Sequence, residues 1–117
     1  MGSVLLVGTG GALGAMGRYG LSLLPWRGEF PLLTLLTNLL GAVLIGFIAG
    51  LAGRGRLNPS LFWKTGVCGG FTTFSTFSLE SLTLLERGKW LLGGSYMLLS
   101  MALCLLGAAL GQRLSRL

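Results

Sequence analysis

The sequence contains no histidine and no aspartate, and its acidic residues are limited to Glu29, Glu80 and Glu86. Charged residues make up only 10% of the chain. Without His or Asp, the usual acid–base and nucleophile-activating partners are missing. A catalytic centre would have to rest on Glu80 and hydroxyls, so the chain reads as a non-enzyme. No phosphate loop is present, and neither Cys68 nor Cys104 has a His or carboxylate neighbour that suggests a metal site. Both cysteines lie inside apolar runs and read as reduced packing residues. The start of the chain shows neither a basic n-region nor a cleavage site, so no signal peptide is expected.

What the sequence does have is apolar length. Its 117 residues are 52% hydrophobic, and the net charge of +6 comes from nine bases set at the ends of apolar runs. Those bases form no patch interleaved with aromatics. They read as membrane-interface charges, with no nucleic-acid partner. A spanning helix needs about 20 apolar residues, and four segments supply them, at about 4–24, 31–51, 60–86 and 90–114. The expectation is one all-α membrane domain, 1–117, with four transmembrane helices.

The third segment is interrupted by design. Gly66 to Ser78 reads G-V-C-G-G-F-T-T-F-S-T-F-S. Gly69-Gly70 is a backbone weak point, and Thr72, Thr73, Ser75 and Thr76 can bond the backbone groups that a broken helix frees. A break near 69–74 is expected, with half-helices at about 60–69 and 75–86. Irregular backbone at membrane depth is tolerated where it is buried in protein or lines a watery cavity, and broken helices mark ion or substrate sites.

Polar residues recur on the other helices. Pro31 suits the first turn of the second helix. Thr34, Thr37 and Asn38 share a helix face, with interhelical glue and pore lining both open as roles for Asn38. Phe74, Phe77, Ser78 and Ser81 fall on one face of the second half-helix, and Thr76, Glu80 and Thr83 on another. Glu80 is an intramembrane carboxylate, functional by default, with snorkelling to the interface as the alternative. Tyr96, Ser100 and Cys104 form an i, i+4, i+8 stripe of donors, or of packing residues bonded to their own helix. Arg18, late in the first helix, snorkels or pairs with a carboxylate. Gly10-x-x-x-Gly14 and Gly46-x-x-x-Gly50 allow close helix approach.

Four helices put both termini on one side. That side carries Arg54, Arg56, Lys64, Arg113 and Arg116, and the other Arg18, Arg27, Arg87 and Lys89. The positive-inside rule has almost no asymmetry to act on. Such a chain can insert both ways and pair as an antiparallel, dual-topology homodimer, giving inverted symmetry from one short chain. Hydroxyls, an amide and the positive edges of phenylalanine rings suit a small anion, which must be held without being trapped. Freed carbonyls have the opposite polarity and suit a hard cation.

Nearly the whole chain resembles the small fluoride channels of the Fluc, or CrcB, family. The resemblance rests on G-A-L-G-A-M-G-R, on T-L-L-T-N-L-L-G and above all on G-G-F-T-T-F-S-T-F-S-L-E followed by E-R-G. It implies an antiparallel homodimer that passes fluoride, rejects chloride and exports fluoride passively to relieve its toxicity, in a bacterial plasma (inner) membrane. Phe74 and Phe77 match the pore phenylalanines and Asn38 the pore asparagine. Thr34, Glu80 and Tyr96 match a polar track, and Arg18 the family's early arginine. The helix-four serine falls on Cys104 without gaps, with Ser100 one turn earlier as the other counterpart. A structural sodium ion at the dimer interface would be held by backbone carbonyls, placed at Gly69 and Thr72. Two other readings are an exporter of cations centred on Glu80 and an accessory membrane subunit.

Overall fold

The protein is described by a computed structural model covering residues 2–53 and 61–117. Arg54, Arg56 and the start of the third segment at residue 60 lie outside the described residues. Within them, all regular structure is helical: α1 (Gly2–Ser22), α2 (Leu32–Gly53), a π-helical segment (Leu61–Cys68) continued by α3 (Gly69–Phe71), then α4 (Phe74–Glu86) and α5 (Trp90–Leu114). The helices form because the runs contain no proline, and an apolar surround offers the backbone no partner but itself. α2 and α5 are long and apolar enough to cross a membrane, with mean hydropathy of 2.2 and 1.8. Glycine-rich α1 does not meet both conditions.

Pro31 stands just before the first turn of α2, where its carbonyl accepts from the Leu35 amide at 3.2 Å. Thus it caps the helix from outside. Between α4 and α5 the chain reverses at Gly88, whose φ of +78° is a conformation open to glycine at little cost.

The bundle is assembled by backbone proximity. α1 lies along the π-helical segment and α3, while α2 lies along α5. Gly14 of α1 is fully packed against the third segment: a Cβ there would collide with the Val67 carbonyl and come within 2.7 Å of the Phe71 amide. On the other seam, a Cβ at Gly46 would strike the Ala108 carbonyl, and one at Gly111 the Val43 carbonyl. Small residues thus let main chains approach where larger ones would hold them apart.

The glycine pair of the third segment does not interrupt the helix, and Gly70 takes part in this packing while Gly69 faces open space. Gly69 and Gly70 are both helical, and a Cβ on Gly70 would collide with the Gly11 carbonyl. The interruption is narrower than the expected 69–74. It consists of Thr72 (φ −80°, ψ 155°) and Thr73 (φ −144°, ψ 112°), both extended. A second difference lies just upstream, where the wider π-helical winding of Leu61–Cys68 replaces an α-helix. Such winding is rare and recurs at functional sites.

Few side chains are fully enclosed. Leu35, Leu84 and Tyr96 form the buried centre, with Phe30, Phe77, Leu92 and Leu103 packed on it. Most other leucines, including Leu91, Leu98 and Leu105, face outwards, as residues that meet lipid or a second copy should.

Candidate functional site

The site is built from the two extended threonines upwards. A helix that stops leaves carbonyls and amides without partners. Here side chains supply them. Thr72 donates both its amide (3.0 Å) and its hydroxyl (2.9 Å) to the Cys68 carbonyl. Thr73 caps α4, its Oγ1 accepting from the Thr76 amide at 3.2 Å. The remaining groups of Thr73 are met from α2: its amide donates to Asn38 Oδ1 at 2.8 Å, and its carbonyl accepts from Asn38 Nδ2 at 3.1 Å. Asn38 therefore serves as the tie between α2 and the interruption, while still lining the adjacent groove.

That tie has a consequence for Gly69. The Thr73 amide is the donor that would close the helical bond on the Gly69 carbonyl, and Asn38 has taken it. Arg18 reaches the next carbonyl, donating from Nε to the Gly70 oxygen at 3.2 Å. The expected partner of Arg18 was a carboxylate or the membrane interface. Instead it bonds to main chain, so its charge lies beside the interrupted helix.

A groove of about 730 Å³ opens between α2, the third segment and α5. Asn38, Gly69, Thr72, Phe74, Phe77 and Ser100 line it, with Cys104 further along and Lys64 also on its wall. Its lining is mostly apolar, with few polar groups, so an ion inside meets isolated donors in place of a full hydration shell. Ser100 Oγ is buried with no hydrogen-bond partner among the described residues, as is Ser81 Oγ. A buried hydroxyl without a partner costs free energy unless something transient satisfies it.

Beside the groove lies a second polar line. Tyr96 is fully buried, and its hydroxyl donates to Glu80 Oε1 at 3.1 Å. The Thr34 hydroxyl faces the same phenol oxygen. The Tyr96 ring meets Phe30 edge-on at 5.5 Å and Phe77 at 5.1 Å, and Phe77 in turn meets Phe74 at 5.5 Å. Glu80 and Phe77 thus both reach Tyr96. The two faces assigned to α4 from sequence merge on the side towards α5, because residues three apart on a helix are neighbours.

The structure therefore groups Thr34, Phe77, Glu80 and Tyr96, and separately Asn38, Gly69, Thr72, Phe77, Ser100 and Cys104 around the groove. Phe77 is common to both. Phe74 is 77% exposed on the single chain. Thr37, by contrast, is buried and bonded back to the Leu33 carbonyl at 2.8 Å, so it belongs to packing. Sequence reasoning missed Phe30; it placed Ser81 on the face of Phe74 and Phe77 without a role, and it read Lys64 as an interface charge with no place on the groove wall. Ser81 carries no signal in the sequence beyond a hydroxyl in an apolar run, and Phe30 is visible only as an aromatic next to Pro31. Among the described residues no group of three or more His, Cys, Asp or Glu side chains is placed to hold a metal ion. A hard cation would therefore rely on main-chain oxygens.

The family described as "CrcB-like protein, Camphor Resistance (CrcB)" matches residues 5–112. The chain is 44% identical over 122 residues to a protein of Ruminiclostridium cellulolyticum named fluoride-specific ion channel FluC, covering 97% of this chain and 92% of that one. A protein of the same name from Clostridium perfringens is 44% identical over 119 residues, with coverage of 97% and 93%. A third, from Nitratidesulfovibrio vulgaris, is 44% identical over 122 residues, with coverage of 96% and 98%. The interrupted third segment, its amide tie and the aromatic line beside it thus occur in a chain that belongs to the CrcB family.

Proposed function

We propose that this integral membrane protein is a fluoride channel, exporting fluoride passively, rejecting chloride and relieving fluoride toxicity. It is a channel and not an enzyme. The observation that carries the reading is the groove itself: a mostly apolar lining with an amide, an unpartnered hydroxyl, phenylalanine rings and one cation, Lys64, and no acidic side chain among its lining residues. Neutral donors replace an anion's hydration without holding it as tightly as buried cations would. A small, strongly hydrated anion is served by a few well-placed donors. A larger one needs more room than closely packed rings leave.

The pore residues in this reading are Asn38, Phe74, Phe77 and Ser100, with Cys104 one turn beyond Ser100 and with Thr34, Glu80 and Tyr96 as the flanking polar track. Arg18 has a structural role through the Gly70 carbonyl. The working unit is an antiparallel, dual-topology homodimer whose third membrane-spanning helix is broken at mid-depth. The exposure of Phe74 and of the outward leucines supports a partner on that face. The freed Gly69 carbonyl, with that of Thr72, fits a structural sodium ion at the dimer interface, since oxygen ligands suit hard cations. The host membrane is the bacterial plasma (inner) membrane.

A direct test is growth. A bacterial strain without its own fluoride exporter should regain growth in fluoride when it carries this chain. Lack of rescue by protein shown to be inserted in the membrane would count against the reading. The alternative, cation export through Glu80, has less support, because that carboxylate is engaged by Tyr96 and is not among the groove's lining residues.

A further inference from the structure

The groove also concentrates sulfur. Both cysteines of the chain and two of its four methionines line it. Met97, Met101 and Cys104 fall at i, i+4 and i+7 on α5, which places them on one helix face. Cys68 contributes from the third segment, on another wall. Amid these sulfurs lies Ser100, whose buried hydroxyl has no partner among the described residues.

Thiolate and thioether sulfurs are soft ligands, selective for soft cations such as monovalent copper and silver. A hard anion such as fluoride gains nothing from them. Cys104 is half-buried and Met101 is 68% exposed, so a cation entering the open groove reaches both. Cys68 is almost fully enclosed. Methionine side chains are flexible enough to close on a bound ion.

We propose that the groove is a soft-metal site, in which Met97, Met101 and Cys104 take a monovalent silver- or copper-type cation. On binding, a cysteine thiol gives up its proton to solvent as the metal–sulfur bond forms, and no redox change is involved. The bound cation obstructs the passage between Asn38 and Ser100, so it acts as a blocker. The blocking half of this inference rests on the fluoride-channel reading, whereas the binding half does not.

Binding is tested on the full-length protein in detergent, in chloride-free nitrate buffer, with silver ion as the probe. Metal retained after desalting is measured by mass spectrometry alongside the ultraviolet silver–thiolate absorption. Saturable retention is expected, and it should fall in Cys104→Ser and fall further in Cys104→Ser combined with Met101→Leu. No retention, or retention equal in the variants, overturns the site. Block is tested separately by fluoride efflux from liposomes, with each variant's flux in silver compared with its own flux without it. Silver should lower wild-type flux by roughly tenfold or more through occlusion of the passage. Excess thiol should restore the flux, and the double variant should be much less sensitive. Retention without block overturns the obstruction, and block unchanged in the double variant places the metal elsewhere. If no fluoride flux is seen at all, the channel reading fails while the binding result still decides the site.

Discussion

Asn38 holds Thr73 by both of its main-chain polar groups, accepting from the amide at 2.8 Å and donating to the carbonyl at 3.1 Å. A carboxamide is well suited to this, since it carries a donor and an acceptor side by side. The tie fixes the interruption to α2 and diverts the Thr73 amide from the Gly69 carbonyl.

Asn38→Leu removes both bonds and leaves two part-buried main-chain groups of Thr73 unpaired. Each such group costs about 1–3 kcal/mol. A clearly lower unfolding midpoint in detergent is expected, together with reduced fluoride flux. Asn38→Asp keeps an acceptor but loses the donor and adds a negative charge, so its flux should fall further than its stability. A leucine variant with unchanged midpoint and flux would contradict the assigned role.

Phe77 touches both Phe74 and Tyr96. Replacing Phe77 or Phe74 by Ile removes the ring edge while retaining apolar bulk. A lost aromatic contact of roughly 1 kcal/mol corresponds to about fivefold in rate. Each single variant should therefore conduct several-fold more slowly, and the double variant more slowly still, while the unfolding midpoint in detergent stays close to wild type. Unchanged flux in a folded double variant sinks the pore assignment.

Tyr96→Phe removes the donor to Glu80 but leaves the ring stacked on Phe30 and Phe77. A hydrogen bond contributes about 0.5–1.5 kcal/mol, so the unfolding midpoint should drop. Glu80→Gln keeps an acceptor for the phenol and should be milder. If Tyr96→Phe is neutral and Glu80→Gln is not, the carboxylate acts through something other than this bond.

At the membrane surface, Lys89 pairs with Glu29 and ties the turn after α4 to the loop before α2. The hydrogen bond and charge of Lys89 hold the Glu29 carboxyl below its ordinary value of 4.5. A carboxyl lowered in the folded state stabilises the fold above its unfolded pKa, and the benefit is lost as pH falls through the folded value. Glu29→Gln should thus be slightly less stable than wild type at neutral pH. The gap should close below the ordinary carboxylate range, and it should shrink with added salt because the pair is exposed. A gap independent of pH would rule the ion pair out as its cause.

How much of this was legible in the sequence depends on what each signal encodes. The helical columns follow from apolar length, and the polar identity of the third segment from its run of hydroxyls. The interruption falls inside the expected 69–74 but was drawn too wide, because glycine signals both a flexible backbone and close packing, and only the neighbouring helix decides which. Gly70 faces Gly11 and stays helical, whereas Thr73 gives up its helical bond to Asn38, a residue 35 positions away. No local propensity encodes that exchange. The same holds for Glu80, whose partner Tyr96 sits on the next helix. The π-helical winding of Leu61–Cys68 has no sequence signature that periodicity can detect, since its neighbours in space set it.

The most direct measurement of the central claim is anion efflux from liposomes containing the purified protein, with an ionophore clamping the membrane potential. Fluoride and chloride are followed in parallel with ion-selective electrodes. The account predicts rapid fluoride loss and negligible chloride loss, with fluoride loss slowed in the Phe74 and Phe77 variants. Fluoride retained by well-folded protein, or chloride released at a comparable rate, would contradict it.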